Sequence, residues 1–275
     1  MIKSYIKRIA FIAICMMSSA AFAGPFILAG TDADDHGYAS GGSNIDGWFF
    51  MQRALENIGN NVTNGNTSVV ILGSTSSAGA AANSAFSLSG LNTLGWTAST
   101  VSVSDFGGFF GGTNAVNINT AGIIMMDSGF NVGGGVDGSN FTPYASTINS
   151  FVGGGGGLFS QANGYDWLSA LLPSVTTSSE GSTGISLTAA GNAAFPGLTD
   201  ADLSAGPHHN SFNNFAPIAS LGVNQYGNTV IIGGGGGGSI TDPDPDPNAV
   251  PEPGTLVLFG LGLTGLAFVR RRKTA

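Results

Sequence analysis

The chain has 275 residues, of which 45 are glycine and only 9% are charged. Glycine at more than twice its usual share of ~7%, without a Gly-X-Y period, excludes collagen, and low charge with 42% hydrophobic content excludes a disordered polyelectrolyte. Between residues 24 and 250 the single cation Arg53 stands against 15 acidic residues, net −14, a body that phosphate backbones repel, so nucleic acid is not an expected partner.

Residues 1–23 read as a secretory signal peptide. Lys3, Lys7 and Arg8 form the charged start, residues 9–17 form an apolar helix too short to span a bilayer, and Ala21-Phe22-Ala23 fits the small-x-small cleavage rule, with Gly24 as the new N-terminus. The secretion translocon and signal peptidase are the first expected partners. Cys15, the single cysteine, lies inside this leader and follows Ile14, which is too large for a lipoprotein site. A mature chain from Gly24 therefore carries no disulfide, thiolate nucleophile or cysteine metal site.

Residues 24–240 are expected to form one exported α/β domain. The apolar run 26–30 (FILAG) predicts a buried strand, and an acidic loop follows over 31–46. Residues 47–58 predict a helix with Phe50, Ala54, Leu55 and Ile58 on one face, stopped by Asn57, Gly59 and Asn60. Strands are predicted over 68–72 (SVVIL), 96–103, 121–127 with Asp127 at its carboxyl end, 158–159 and 228–233. Helices are predicted over 76–91, 144–152 and 166–172, the last ended by Pro173. Strands that are continuous apolar runs, alternating with helices, imply a mostly parallel sheet covered by helices on both faces. Trp48, Trp96 and Trp167 each lie beside apolar positions and are expected to pack in the core.

The succession of AGIIMMD, the helix TINSFV and GGGGGLF resembles the class I glutamine-amidotransferase-like fold, including ThuA-like domains, and residues 194–198 (AFPGL) resemble a further segment of that group. The resemblance implies a flavodoxin-like sheet and says little about activity. The amidotransferase triad needs a cysteine that the mature chain lacks. Ser160 stands in LFSQANG, without the G-x-S-x-G pattern of a nucleophile elbow, and is read as structural.

Two segments carry candidate chemistry. Asp32, Asp34, Asp35 and His36 follow the first strand, where ligands gather in open α/β sheets. Asp32, Asp34 and Gly37 match positions 1, 3 and 6 of an EF-type calcium loop, but His36 and Ser43 break it at positions 5 and 12. The same string also reads as an acidic surface loop with local Asx turns. His208 and His209 form the second segment; adjacent side chains diverge, so one of them is the natural ligand. A divalent cation held by these carboxylates and imidazoles is the candidate cofactor, and a metal-dependent hydrolase or a calcium-stabilised binding module requires the two histidine-bearing loops to meet. A structural protein does not.

Residues 241–249 alternate Pro and Asp and form an extended, charged spacer. The end of the chain, 250–275, has three parts: Val250-Pro251-Glu252-Pro253, an uncharged apolar stretch over 254–269 that predicts a C-terminal transmembrane helix, and the cluster Arg270, Arg271, Arg272 and Lys273. This tail resembles the PEP-CTERM sorting signal of Gram-negative bacteria. The resemblance implies export across the inner membrane, a transient anchor there, cleavage by an exosortase-like enzyme, and delivery to the cell surface or an exopolysaccharide matrix. The expected role is that of a non-catalytic component of that matrix.

Overall fold

The computed structural model describes residues 24–126, 133–161, 164–181, 183–204, 206 and 209–234. In chain order the strands are β1 (Phe26–Ala29), β2 (Gly37–Ser40), β3 (Ser43–Asp46), β4 (Ser68–Leu72), β5 (Thr97–Val101), β6 (Ile123–Met126), β7 (Gly157–Ser160), β8 (Thr176–Ser179), β9 (Ile185–Leu187), β10 (Asn210–Asn213), β11 (Ala219–Asn224) and β12 (Thr229–Gly234). The helices are α1 (Gly47–Gly59), α2 (Ser76–Ser87), α3 (Gly90–Thr93), α4 (Phe106–Phe110), α5 (Ala145–Gly153) and α6 (Ala189–Ala194).

Eight strands form one mixed sheet in the order β5-β4-β6-β7-β1-β12-β11-β9. The five from β5 to β1 are parallel, and β12, β11 and β9 extend the sheet antiparallel. Two short hairpin-like pairs, β2–β3 and β8–β10, stand outside it. The apolar runs of β1, β4 and β6 are buried along most of their length because both faces of the sheet are covered. Alternate residues enter two separate cores. Ile27, Ala29, Val69, Ile71, Ile123, Met125 and Phe159 pack with Phe50, Met51, Ala54, Leu55 and Ile58 of α1 and the alanines of α2. Phe26, Leu28, Val70, Leu72, Ile124, Met126 and Leu158 pack with Phe106, Phe109 and Phe110 of α4 and Ile148, Phe151 and Val152 of α5. The period of two in each strand sorts one apolar string onto both faces.

The expected α/β architecture, with a mostly parallel sheet and helices on both faces, is therefore present. The chain order differs from a flavodoxin-like 2-1-3-4-5 sheet. Here β5, β4, β6 and β7 occupy places one to four, and the N-terminal β1 takes the fifth place beside β7. The predicted helix over 166–172 is a correction: only a 3-10 turn forms, Leu168–Ala170. Pro173 disfavours helical backbone at Leu172 and leaves room for little more than one turn. Trp167 is buried in the second core, and Trp48 and Trp96 are partly buried against the first. Asp127 lies outside the described residues. Among the described residues no helix is long and apolar enough to cross a membrane; the leader, the Pro/Asp spacer and the C-terminal apolar stretch are outside them.

Candidate functional site

The strand order reverses at β4, from which the chain crosses to β5 on one side and returns to β6 on the other. Because β4, β6, β7 and β1 are parallel, their carboxyl ends share one edge of the sheet. Ligands of open α/β sheets bind along that edge.

β1 delivers the acidic segment there. It is followed by Gly30, whose carbonyl accepts hydrogen bonds from the backbone amides of His209 (2.6 Å) and Asn210 (3.3 Å). Only glycine permits this approach, since a Cβ at position 30 would lie 1.7 Å from the Asn210 carbonyl oxygen. Thr31, Asp32 and Asp34 are buried, at 5%, 7% and 1% exposure. Buried carboxylates are rare unless paired. The backbone turns where the Asp35 amide donates to the Asp32 carbonyl at 3.2 Å, and the His36 carbonyl accepts from Gly47 at the start of α1. This turn carries the His36 ring back over Asp32.

The two histidine-bearing loops meet. His209 Nε2 lies 3.0 Å from Asp32 Oδ2, and His36 Nε2 lies 3.5 Å from the same oxygen. The contact between Asp32 and His209 spans 177 residues and is set by the backbone pairing at Gly30. Gly206 packs on His36, where a Cβ would come within 2.2 Å of the ring. The body's lone guanidinium is engaged elsewhere, with Arg53 2.6 Å from Glu56 and stacked over Phe49. The groups that face Asp32 are therefore imidazoles. His209 is held above its ordinary 6.5, first by its hydrogen bond to Asp32, against the opposing effect of burial, with added pull from the charges of Asp32, Asp34 and Asp35. Asp35 is raised above 3.8, first by burial and then by the charge of Asp32. Its hydrogen bond with Ser77 and the nearby His36 and His209 act the other way.

Asp34 faces inward. Gln161, the first residue beyond β7, donates from Nε2 to Asp34 Oδ1 at 3.0 Å, and Trp48 donates from its indole to the Asp34 carbonyl at 2.7 Å. Tyr165 donates to the carbonyls of Ala29 (2.8 Å) and Ser160 (3.2 Å), joining the ends of β1 and β7, and its burial drives the phenol pKa upward. Three buried oxygens have no hydrogen-bond partner among the described residues: Thr31 Oγ1, Asp32 Oδ1 and Ser74 Oγ. Sequence reasoning missed Thr31, Ser74, Ser77, Gln161 and Tyr165. For Thr31, Ser74 and Gln161 the available signal was position, one or two residues beyond a parallel strand.

Of the candidate ligands, Asp32, His36 and His209 converge, Asp35 lies in their electrostatic field and is hydrogen-bonded to Ser77, and Asp34 turns to Gln161. The partial EF-type loop does not form, because residues 37–46 leave it as the β2–β3 pair. Among the described residues no group of three or more His, Cys, Asp or Glu side chains is placed to hold a metal ion. His208, the sorting residues Val250 to Pro253, the basic cluster 270–273 and the cleavage residues Ala21 and Ala23 lie outside the described residues. Gly24 is buried at the start of the described chain, against the backbone of residues 155–156.

Comparison with known proteins places one segment. Residues 249–273 match the model of the PEP-CTERM protein-sorting motif. No curated protein and no solved structure matches the chain. The motif implies an exported protein, sorted by an exosortase and associated with the cell surface.

Proposed function

We propose that the chain is a cell-surface or exopolysaccharide-matrix component, delivered by its sorting tail, whose α/β body serves there without catalysing a reaction. The match of residues 249–273 to the sorting motif carries this reading. It is supported by the absence of any cysteine after Cys15 and of a G-x-S-x-G sequence. The tail acts as an address: the Pro-Glu-Pro motif is presented to the processing enzyme while the apolar stretch and the basic cluster hold the chain in the inner membrane.

Fractionation of cells expressing the full chain tests this. Replacing Pro251, Glu252 and Pro253 by alanine is expected to leave the protein in the inner membrane, whereas the unaltered chain reaches the surface fraction. Equal surface recovery of both would remove the reading. A second reading, a metal-dependent extracytoplasmic hydrolase, is favoured by one observation: His36 and His209, from separate loops, meet at Asp32 on the ligand-binding edge of the sheet. An activity screen against matrix polysaccharide, with Asp32→Asn as the control, separates the two readings.

A further inference from the structure

We infer that the outer edge of β5 is a self-association surface, on which a second copy of this chain lays its own β5 antiparallel about a two-fold axis and continues the sheet. The inference goes beyond the surface-delivery reading and does not depend on it.

The two ends of the sheet differ. β5 is hydrogen-bonded to β4 along one side, and among the described residues no strand pairs with its other side. The Thr97 amide donates to the Thr67 carbonyl, and the Val101 carbonyl accepts from the Gly73 amide. The period of two therefore turns the backbone groups of Thr97, Ser99 and Val101 towards β4, and those of Ala98 and Thr100 outwards. Exposed edges are ordinarily blunted by charge, proline, a bulge or a covering segment. β5 (TASTV) has no charge and no proline, and its register with β4 runs unbroken from Thr97 opposite Ser68 to Val101 opposite Leu72. β9, at the opposite end, is protected. It is three residues long, and Leu187 donates its amide to the side chain of Asp200 at 2.8 Å.

Charge selects the occupant. Residues 24–250 carry net −14, so two copies repel one another unless they meet through a neutral surface that keeps the carboxylates beyond a Debye length of ~8 Å. Residues 57–104 contain no charged side chain, and they include β4, β5, α2 and α3. A basic partner is drawn to the acidic surfaces instead. Leu94 and Val103, at 71% and 43% exposure, flank β5 and are two of the four large hydrophobic side chains exposed among the described residues. Backbone geometry matches as well. With Ser99 on the axis, Ala98 of each copy stands opposite Thr100 of the other, and every outward amide and carbonyl of these residues gains a partner. A contact of this isologous kind closes as a dimer.

The test weighs the full chain in detergent by light scattering and sedimentation. Every strain carries Cys15→Ser, so that an introduced cysteine is the single thiol. A dimer is expected for the parent. Thr100→Pro deletes an outward amide where an edge strand accepts proline, and is expected to be a monomer with unchanged circular dichroism. Ser99→Cys, oxidised, is expected to give a covalent dimer on a non-reducing gel, because facing residues of a non-hydrogen-bonded antiparallel pair have Cα atoms ~4.5 Å apart, within disulfide reach. Ser186→Cys on β9 is expected to give none. A parent that stays monomeric up to ~100 μM, a dimer indifferent to Thr100→Pro, or equal cross-linking at positions 99 and 186 overturns the assignment. The sorting tail is intact in every strain, so association through the tail shows as a dimer that Thr100→Pro leaves unchanged. If Thr100→Pro does not fold, the two cysteine variants decide. None of these outcomes bears on surface delivery, which the fractionation reads separately.

Discussion

Asp32 is the residue on which the site turns. Its carboxylate is buried, one oxygen faces two imidazoles and the other has no partner among the described residues. This has a consequence for pH. His209 is raised above 6.5 in the folded chain, so its interaction with Asp32 stabilises fully below about pH 6.5 and is lost as pH rises through the folded value. Asp35, raised above 3.8, acts in the same direction at lower pH. Below its folded value it keeps a proton the unfolded chain has released, and stability falls as that proton leaves. The melting temperature is expected to fall as pH rises from the ordinary imidazole value of 6.5 through the raised value of His209, and His209→Gln to flatten that slope. A wild-type slope that persists unchanged in the variant would assign it to another group.

At the scale of the element, glycine and phenylalanine divide the work. Gly30 lets β1 and the start of β10 touch through their backbones. Gly30→Ala places a methyl group into the Asn210 carbonyl and should cost about 1–3 kcal/mol or more, read as a lowered denaturant midpoint. The same substitution disturbs the backbone pairing that sets His209 against Asp32, so the pH dependence carried by that contact should weaken along with stability. Phe50 is the anchor of α1, fully buried and set edge-on to Phe159 of β7 (6.0 Å) and to Phe195 (5.3 Å). Phe50→Ala should cost about 3–5 kcal/mol by chemical denaturation, through lost burial and the cavity left behind. α1 was readable from residues alone because its buried positions recur at helical spacing. β2, β3, β8, β9, β10 and β11 were not: the first five are three or four residues long, and all six carry polar or glycine residues among their apolar ones. Such strands form because partners hold them, and no periodicity announces them.

Across the whole molecule, export and body are separable. The tail carries the address, and the body carries the Asp32 site. Substituting Asp32, His36 and His209 together should therefore leave surface recovery of a folded chain unchanged, while the Pro-Glu-Pro substitution abolishes it; fractionation of both strains checks this. The strand order has the same modular character. Had β1 stood where its place in the chain suggests, first among the parallel strands, the acidic loop would open elsewhere on the sheet edge. Placed instead between β7 and β12, it lies beside Gln161 and within reach of the segment leading into β10.

What is local or covalent is legible in the residues alone. The three-part tail depends on composition in consecutive residues, the proposed leader on a charge–apolar–small pattern, and α1 and the strands β1, β4, β5, β6, β7 and β12 on runs and spacing of apolar side chains. The sequence also singled out residues 32–36 and 208–209, because buried chemistry needs carboxylates and imidazoles and this body has few imidazoles to choose among. Tertiary structure alone decided which of them meet. Asp32 and His209 are 177 residues apart, and their contact rests on a backbone pairing at Gly30 and on the fifth place of β1 in the sheet. Pairing between distant strands is set by the sum of packing on both faces, a property of the assembled sheet that no short window of residues contains.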